Sequence, residues 1–139
     1  MAVLQKSFRV STRGHSDVLD ITEHVTRIVA ESGVQHGVVN VAGVGSTLGI
    51  TTLEFESGCV ADLRRALEEI APAGGEYAHN ARWGDGNGYA HLRSALVGTA
   101  RSFPVAEGRI LTGTWQQIVL CDFDNRTRDR QVLVTVVGE

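Results

Sequence analysis

Ten residues, GDGNGYAHLR from Gly84 to Arg93, gather an acid, an amide, a histidine and an arginine among three glycines. Asp85, Asn87 and His91 are side chains that hold a metal ion, a proton or an anion, and Arg93 adds a fixed positive charge. A second histidine, His79, precedes His91 by twelve positions, with Asp85 and Asn87 between them. Neutral imidazoles and carboxylates are the ligands of zinc and similar divalent ions, and a catalytic site takes three protein ligands plus an open position. His79 and His91 are thus candidate ligands of a set one short of complete. The spacing also fits a pair of histidines that cap a helix and tether a loop. His24 falls on a helical pattern and His15 and His36 in turns, where surface positions are expected.

Two further segments carry chemistry. In GSTLGITTLEFE, Gly45 to Glu56, a glycine precedes the adjacent hydroxyls of Ser46 and Thr47. Freed backbone amides beside two hydroxyls make a cradle for phosphate or carboxylate, and equally a polar turn between strands. Glu54 and Glu56 are two apart and share a strand face. With Phe55 toward the core they point away from it, which makes Glu54 a candidate missing ligand or general base. In LTGTWQQI, Leu111 to Ile118, a glycine turn leads into Trp115 and Gln116. Trp115 suits a core or interface anchor, and such a turn at a sheet end also presents ligand contacts.

Elements that position these residues follow from periodicity. Val3 to Ser11 is a strand, and Arg13 to Ser16 turns the chain. Asp20 with Glu23 has capping-box spacing ahead of Ile21, Val25, Ile28 and Val29, which predicts a helix ending at Ser32 and Gly33. Val34 to Val44 and Leu48 to Phe55 are β-branched and predict two strands. Val60, Leu63, Leu67 and Ile70 form the stripe of a second helix that Pro72 ends. Ala73 to Gly88 has no period and predicts a long functional loop. Asn87 then caps a third helix with Leu92, Ala95, Leu96 and Thr99 inward. Ser102 to Val105, Arg109 to Leu111, the alternating Trp115 to Phe123 and Gln131 to Val137 predict a β-meander, with Asp124 and Asn125 in its last turn. The class is α+β: a mixed, mostly antiparallel sheet with helices packed on it.

Composition sets the limits. With 139 residues, 42% hydrophobic and 21% charged, the chain has the size of one domain. A net charge of −3 gives no long-range attraction for nucleic acid, and the basic residues are dispersed except around Asn125 to Arg130. No apolar run approaches the ~20 residues of a membrane span, and no basic leader precedes an apolar stretch, so neither nucleic acid nor membrane is expected as a partner. Cys59 and Cys121 are isolated thiols, which fits a cytoplasmic location.

Taken in order, Ser46-Thr-Leu-Gly-Ile-Thr51 with Glu54 after it, Tyr77-Ala-His79, Asp85-Gly-Asn-Gly-Tyr-Ala-His91, Gly98 followed by Pro104-Val105, Gly113-Thr-Trp-Gln116, and Asp122-Phe-Asp124 before Arg126 span nearly the whole chain. In content and order they resemble the YjbQ family, also described as secondary thiamine-phosphate synthase enzymes. The resemblance implies a single α+β domain with a large mixed sheet, a homotrimer, and a metal or active site built around histidines. Many members carry a histidine directly before the hydroxyl pair, where this chain has Gly45. A three-histidine site carried over keeps His79 and His91 and loses its first ligand. Either Glu54 or Asp85 substitutes for it, or the pocket persists without a divalent metal, zinc or magnesium.

Ser46, Thr47, Asn87, Arg93, Trp115 and Gln116 match family positions and are candidates to line that pocket. The implied activity joins a pyrimidine diphosphate to a thiazole phosphate, which requires the diphosphate to be neutralised. Here Arg93, the Ser46 and Thr47 turn and the helix start at Asn87 are the groups available for a phosphate-bearing or otherwise anionic small molecule. In that reading His79 and His91 hold the ion or act as acid and base, and Asp85 orients an imidazole. A metal-dependent hydrolase, such as a phosphatase, and a non-catalytic trimeric ligand-binding module are the alternatives.

Overall fold

The computed structural model describes residues 1–139. Its elements in chain order are β1 (Ala2–Thr12), β2 (Asp17–Asp20), α1 (Thr22–Ser32), β3 (His36–Gly43), β4 (Leu48–Leu53), α2 (Ser57–Ile70), α3 (Ala78–Trp83), α4 (Gly88–Val97), β5 (Ala100–Ala106), β6 (Arg109–Ile110), β7 (Gln117–Asp122) and β8 (Arg128–Gly138). The architecture is α+β. Its strands form two sheets, β1-β8-β3-β5-β6 and β2-β7-β4, and every pairing is antiparallel.

The two sheets face each other across the main core. Val39 and Val41 of β3, Phe103 and Val105 of β5, and Val132, Val134 and Val136 of β8 pack against Leu48, Ile50, Ile118 and Leu120 of the smaller sheet, with α1 closing one side. A second cluster lies on the opposite face of the smaller sheet, where Val119, Cys121 and Phe123 meet Val60 and Leu67 of α2 and Tyr89 and Ala90 of α4. The small sheet is thus buried on both faces. That placement explains why Ile118 to Phe123 are all buried rather than alternating in and out as predicted. Full burial of a side chain such as Phe123 or Ile118 contributes about 1.5–3 kcal/mol. The expected meander is likewise divided, since β7 crosses to the small sheet while β8 returns to the large one between β1 and β3.

Several local expectations are corrected. The stretch from Ala73 to Gly88 is not all loop, because it contains α3. Gly84, with φ 72°, ends that helix in the left-handed conformation. Asp17–Asp20, which runs from the end of the expected turn to the expected cap at Asp20, pairs with β7 as β2. Asp20 Oδ1 still accepts from Thr22 N–H (3.0 Å), but Glu23 reaches forward to Arg27 and closes no capping box. Ile70, expected on the buried stripe of α2, is 64% exposed.

Helix α4 presents the face opposite to the expected one. Ala90, Arg93 and Ser94 are buried, and Leu92 and Leu96 are exposed. Ser94 Oγ donates to Leu48 O (2.5 Å), so the helix approaches β4 closely and only small side chains fit the contact. Apolar periodicity marks the buried face only where large side chains fill the gap.

Candidate functional site

The glycine-rich stretch of the sequence folds α3 back onto the start of α4. A Cβ at Gly88 would lie 2.7 Å from Tyr77 Cβ, so this position admits only glycine if the two helices are to touch. Gly88 N–H donates to Asn80 Oδ1 (2.9 Å), which seals the junction. The turn brings His79 of α3 against His91 of α4, with ring centroids 4.5 Å apart and planes tilted by 42°. His79 Nδ1 is buried with no hydrogen-bond partner, and Asp85 Oδ1 is 3.8 Å from it, beyond hydrogen-bond reach.

His91 opens onto a cleft of about 400 Å³ that it lines with Gly45, Ser46, Ser94, Ala95, Gly98 and Thr99. Between β3 and β4, the backbone N–H groups of Gly45, Ser46 and Thr47 donate no hydrogen bond within the chain. Ser46 is exposed, and Arg130 lies behind the turn, where a Cβ at Gly45 would be 2.9 Å from its Nη1. Any side chain at Gly45 therefore displaces the guanidinium. A larger cleft, about 710 Å³, follows Gly75 to Ala81 along α3 and has Glu76 as its one charged lining residue.

Four of the expected site residues are engaged elsewhere. Arg93 is buried, with Nε and Nη2 on Ala71 O (3.0 and 2.8 Å), Nη1 on Ser16 Oγ (2.9 Å) and Nη2 on Glu68 (2.7 Å); its guanidinium stacks on Tyr89. Four of its five N–H donors are taken inside the fold, and it does not line the histidine cleft. Thr47 is buried too, donating to Asp124 Oδ2 (3.1 Å) and accepting from Arg130 Nη2 (2.6 Å). Asn87 sits at the cap position of α4 without capping it. Its Nδ2 donates to Asp124 Oδ1 (3.2 Å), and its Oδ1 is buried without a partner. Gln116 Oε1 accepts from Gly113 N–H (2.9 Å), which closes its own turn.

Glu54 and Trp115 belong to another place. They line a separate cleft of about 330 Å³ with Asp20, Phe55, Glu56 and Gln117. Phe55, expected toward the core, is 45% exposed, and Trp115, expected as a core or interface anchor, is 70% exposed and lies outside the core. Strand β4 ends at Leu53, so the pleat that would pair Glu54 with Glu56 has already stopped. Glu56 instead caps α2. The N–H of Gly58, then that of Cys59, hold its carboxyl below the usual range.

Sequence reasoning missed the ion network beneath the site. Asp122 accepts from Arg130 Nε (2.7 Å), Arg130 Nη2 (2.9 Å) and Thr12 Oγ1 (2.5 Å). Asp124 accepts from Arg128 Nη2 (2.6 Å), Asn125 N–H (2.8 Å), Asn87 and Thr47. Burial by itself raises the Asp124 carboxyl, and these four donors outweigh it, so the group settles at about 2. The signal was present as alternation: Asp122, Asp124, Arg126, Arg128 and Arg130 recur every second residue. Gly14 seats this segment, since a Cβ there would meet Asp124 O at 2.7 Å.

The donors present also test the implied metal. His79 and His91 supply two imidazoles, Gly45 supplies none, and no group of three His, Cys, Asp or Glu side chains converges in the chain. A catalytic zinc takes three protein ligands and magnesium prefers carboxylate oxygens, so the donors of one chain do not fit either ion.

The fold finds close counterparts among known proteins. Residues 6–139 match the family described as UPF0047 protein YjbQ-like. A UPF0047 protein of Methanothermobacter thermautotrophicus is 34% identical over 139 residues, covering 100% of this chain and 95% of the relative. YugU of Bacillus subtilis, another UPF0047 protein, is 33% identical over 135 residues, covering 96% and 98%. A crystal structure of a YbjQ-like protein of unknown function from Sulfolobus solfataricus P2 superimposes with a TM-score of 0.94 at 33% identity, covering 99% of each chain. The chain belongs to the YjbQ/UPF0047 family. No helix is long and apolar enough to cross a membrane.

Proposed function

We propose that the chain is a cytoplasmic small-molecule enzyme that uses His79 and His91 as an acid and base pair on an anionic, phosphate-bearing substrate. One observation carries the reading: His91, in ring contact with His79, lines the same cleft as the Gly45 and Ser46 turn, whose N–H groups are unused. Successive free amides and an exposed hydroxyl take the substrate's anionic group, as the sequence of that turn suggests. The neighbouring imidazole then moves a proton at the atom next to it. A neutral imidazole carries one N–H and one ring-nitrogen lone pair, so two in contact offer both partners of general acid and base catalysis.

The anion falls to the amides and Ser46, because Arg93 and Thr47 are committed to the fold and Arg130 is paired with Asp122. Coupling of the pyrimidine diphosphate to the thiazole phosphate is the reaction the family resemblance names, and it is the first to assay. Assembly as a homotrimer belongs to the same reading. Its support is the outer face of the large sheet, where no helix packs and Val3 and Val38 are exposed.

Purified chain is assayed on that substrate pair and on simple phosphate esters, with and without chelator. Turnover that resists the chelator and falls at least ~100-fold in both His79→Ala and His91→Ala supports the pair. Turnover of esters abolished by chelator would replace it with the metal-dependent hydrolase. No turnover together with a ligand-dependent rise in melting temperature would replace it with the trimeric binding module.

A further inference from the structure

A fourth cleft, about 250 Å³, lies on the other side of the α4 start and is lined by polar residues only: Asp85, Asn87, Asp124, Asn125, Arg126 and Arg128. Its walls are built rather than accidental. Asn125 Nδ2 donates to Asp85 O (2.9 Å) and ties the two turns together, while Arg128 is held on Asp124 through Nε and Nη2 (2.9 and 2.6 Å). Asp124 and Arg128 therefore neutralise each other inside the wall. Arg126 is exposed and makes no hydrogen bond or ion pair, so it is the one uncompensated cation. Opposite in sign, the Asp85 carboxylate is 57% exposed and touches no arginine.

Asn87 adds a more specific demand. Its amide orientation is fixed by the Nδ2 bond to Asp124, which leaves Oδ1 as a buried acceptor without a donor. A buried polar atom with no partner is uncommon in folded chains and asks for a ligand or an ordered water. A group that satisfies it must bring N–H or O–H.

We propose that this cleft binds a small zwitterion, an oxyanion seated on Arg126 and an ammonium group donating to Asn87 Oδ1 beside Asp85. The cleft offers one free positive and one free negative group, so a ligand with one of each leaves no charge unpaired. An arginine fork matches carboxylate and phosphate alike, and the same class covers an amino acid and an aminoalkyl phosphate. Binding here is independent of whether the histidine pair turns over substrate.

The test is isothermal titration and thermal shift on the full chain with four probes: phosphoethanolamine and glycine as zwitterions, ethyl phosphate as anion alone, and ethanolamine as cation alone. One zwitterion or both should bind and raise the melting temperature, with each single-charge probe at least tenfold weaker. Which zwitterion binds tells phosphate from carboxylate. Arg126→Ala should abolish binding with the unliganded melting temperature unchanged, since Arg126 holds nothing in the fold, and Asp85→Asn should weaken it. Equal binding of ethyl phosphate and phosphoethanolamine, binding that survives Arg126→Ala, or no binding by either zwitterion would overturn the proposal.

Discussion

The Arg93 guanidinium donates to Ala71 O, Ser16 Oγ and Glu68, and Ala71 is itself fully buried. Arg93→Ala strands that carbonyl, so chemical denaturation should show a loss of about 2–4 kcal/mol. A binding-site arginine would give no such loss. At Asp124 the folded pKa is depressed to about 2 against an unfolded value near 3.8. Its stabilisation is therefore present above the unfolded value and disappears as pH falls through the folded one. Unfolding free energy should drop by about 2 kcal/mol between pH 5 and pH 2, and Asp124→Asn should flatten that part of the profile. Burial first, then the Asp122 charge, pushes the Cys121 thiol up to about 12, opposed by Arg64. Iodoacetamide should label only Cys59 in the folded chain and both thiols after denaturation. The types of Arg93 and Asp124 were plain in the sequence. Several of their partners were not, because Ser16, Glu68 and Ala71 for Arg93, and Thr47 and Asn87 for Asp124, lie far along the chain.

At the scale of elements, α1 and α2 were legible because large apolar side chains recur at helical period. Helix α4 was legible in extent but not in orientation, since Ala90 and Ser94 form its close contact. Two substitutions separate the faces. Leu96→Gln should change stability by less than about 0.5 kcal/mol, whereas Ala90→Leu should cost about 1–3 kcal/mol in urea unfolding by overpacking against the small sheet. Helix α3 escaped notice because its six residues are too few to show a period and none is buried. Strand β2 is shorter still, and its pairing partner β7 lies about a hundred residues away. The His79 and His91 pair was legible as composition. Ring contact depended on α3 turning back at Gly84 to Gly88, which spacing alone cannot give.

The whole molecule leaves one large surface bare. Across the outer face of the large sheet run Val3, Val137, Val38 and Pro104 in one row, with Gln5, Thr135, Asn40 and Ser102 in the next. Gln5 Nε2 donates to Thr135 Oγ1 (3.1 Å) and Asn40 Nδ2 to Ser102 Oγ (3.0 Å), so the polar row satisfies itself and adds little cost to covering the face. If the homotrimer forms there, sedimentation should give the mass of three 14.9 kDa chains, and Val38→Arg should return it to one. A wild-type chain that sediments as a monomer would refute the trimer.

The central claim is the proton-transfer role of the two histidines, and steady-state turnover of the pyrimidine diphosphate with the thiazole phosphate, in wild type and His91→Ala side by side, tests it most directly. Proton transfer by the pair predicts chelator-resistant turnover in the wild type and a loss of about 100-fold or more in the variant at an unchanged melting temperature. Turnover that His91→Ala leaves intact, or that chelator removes, would contradict it.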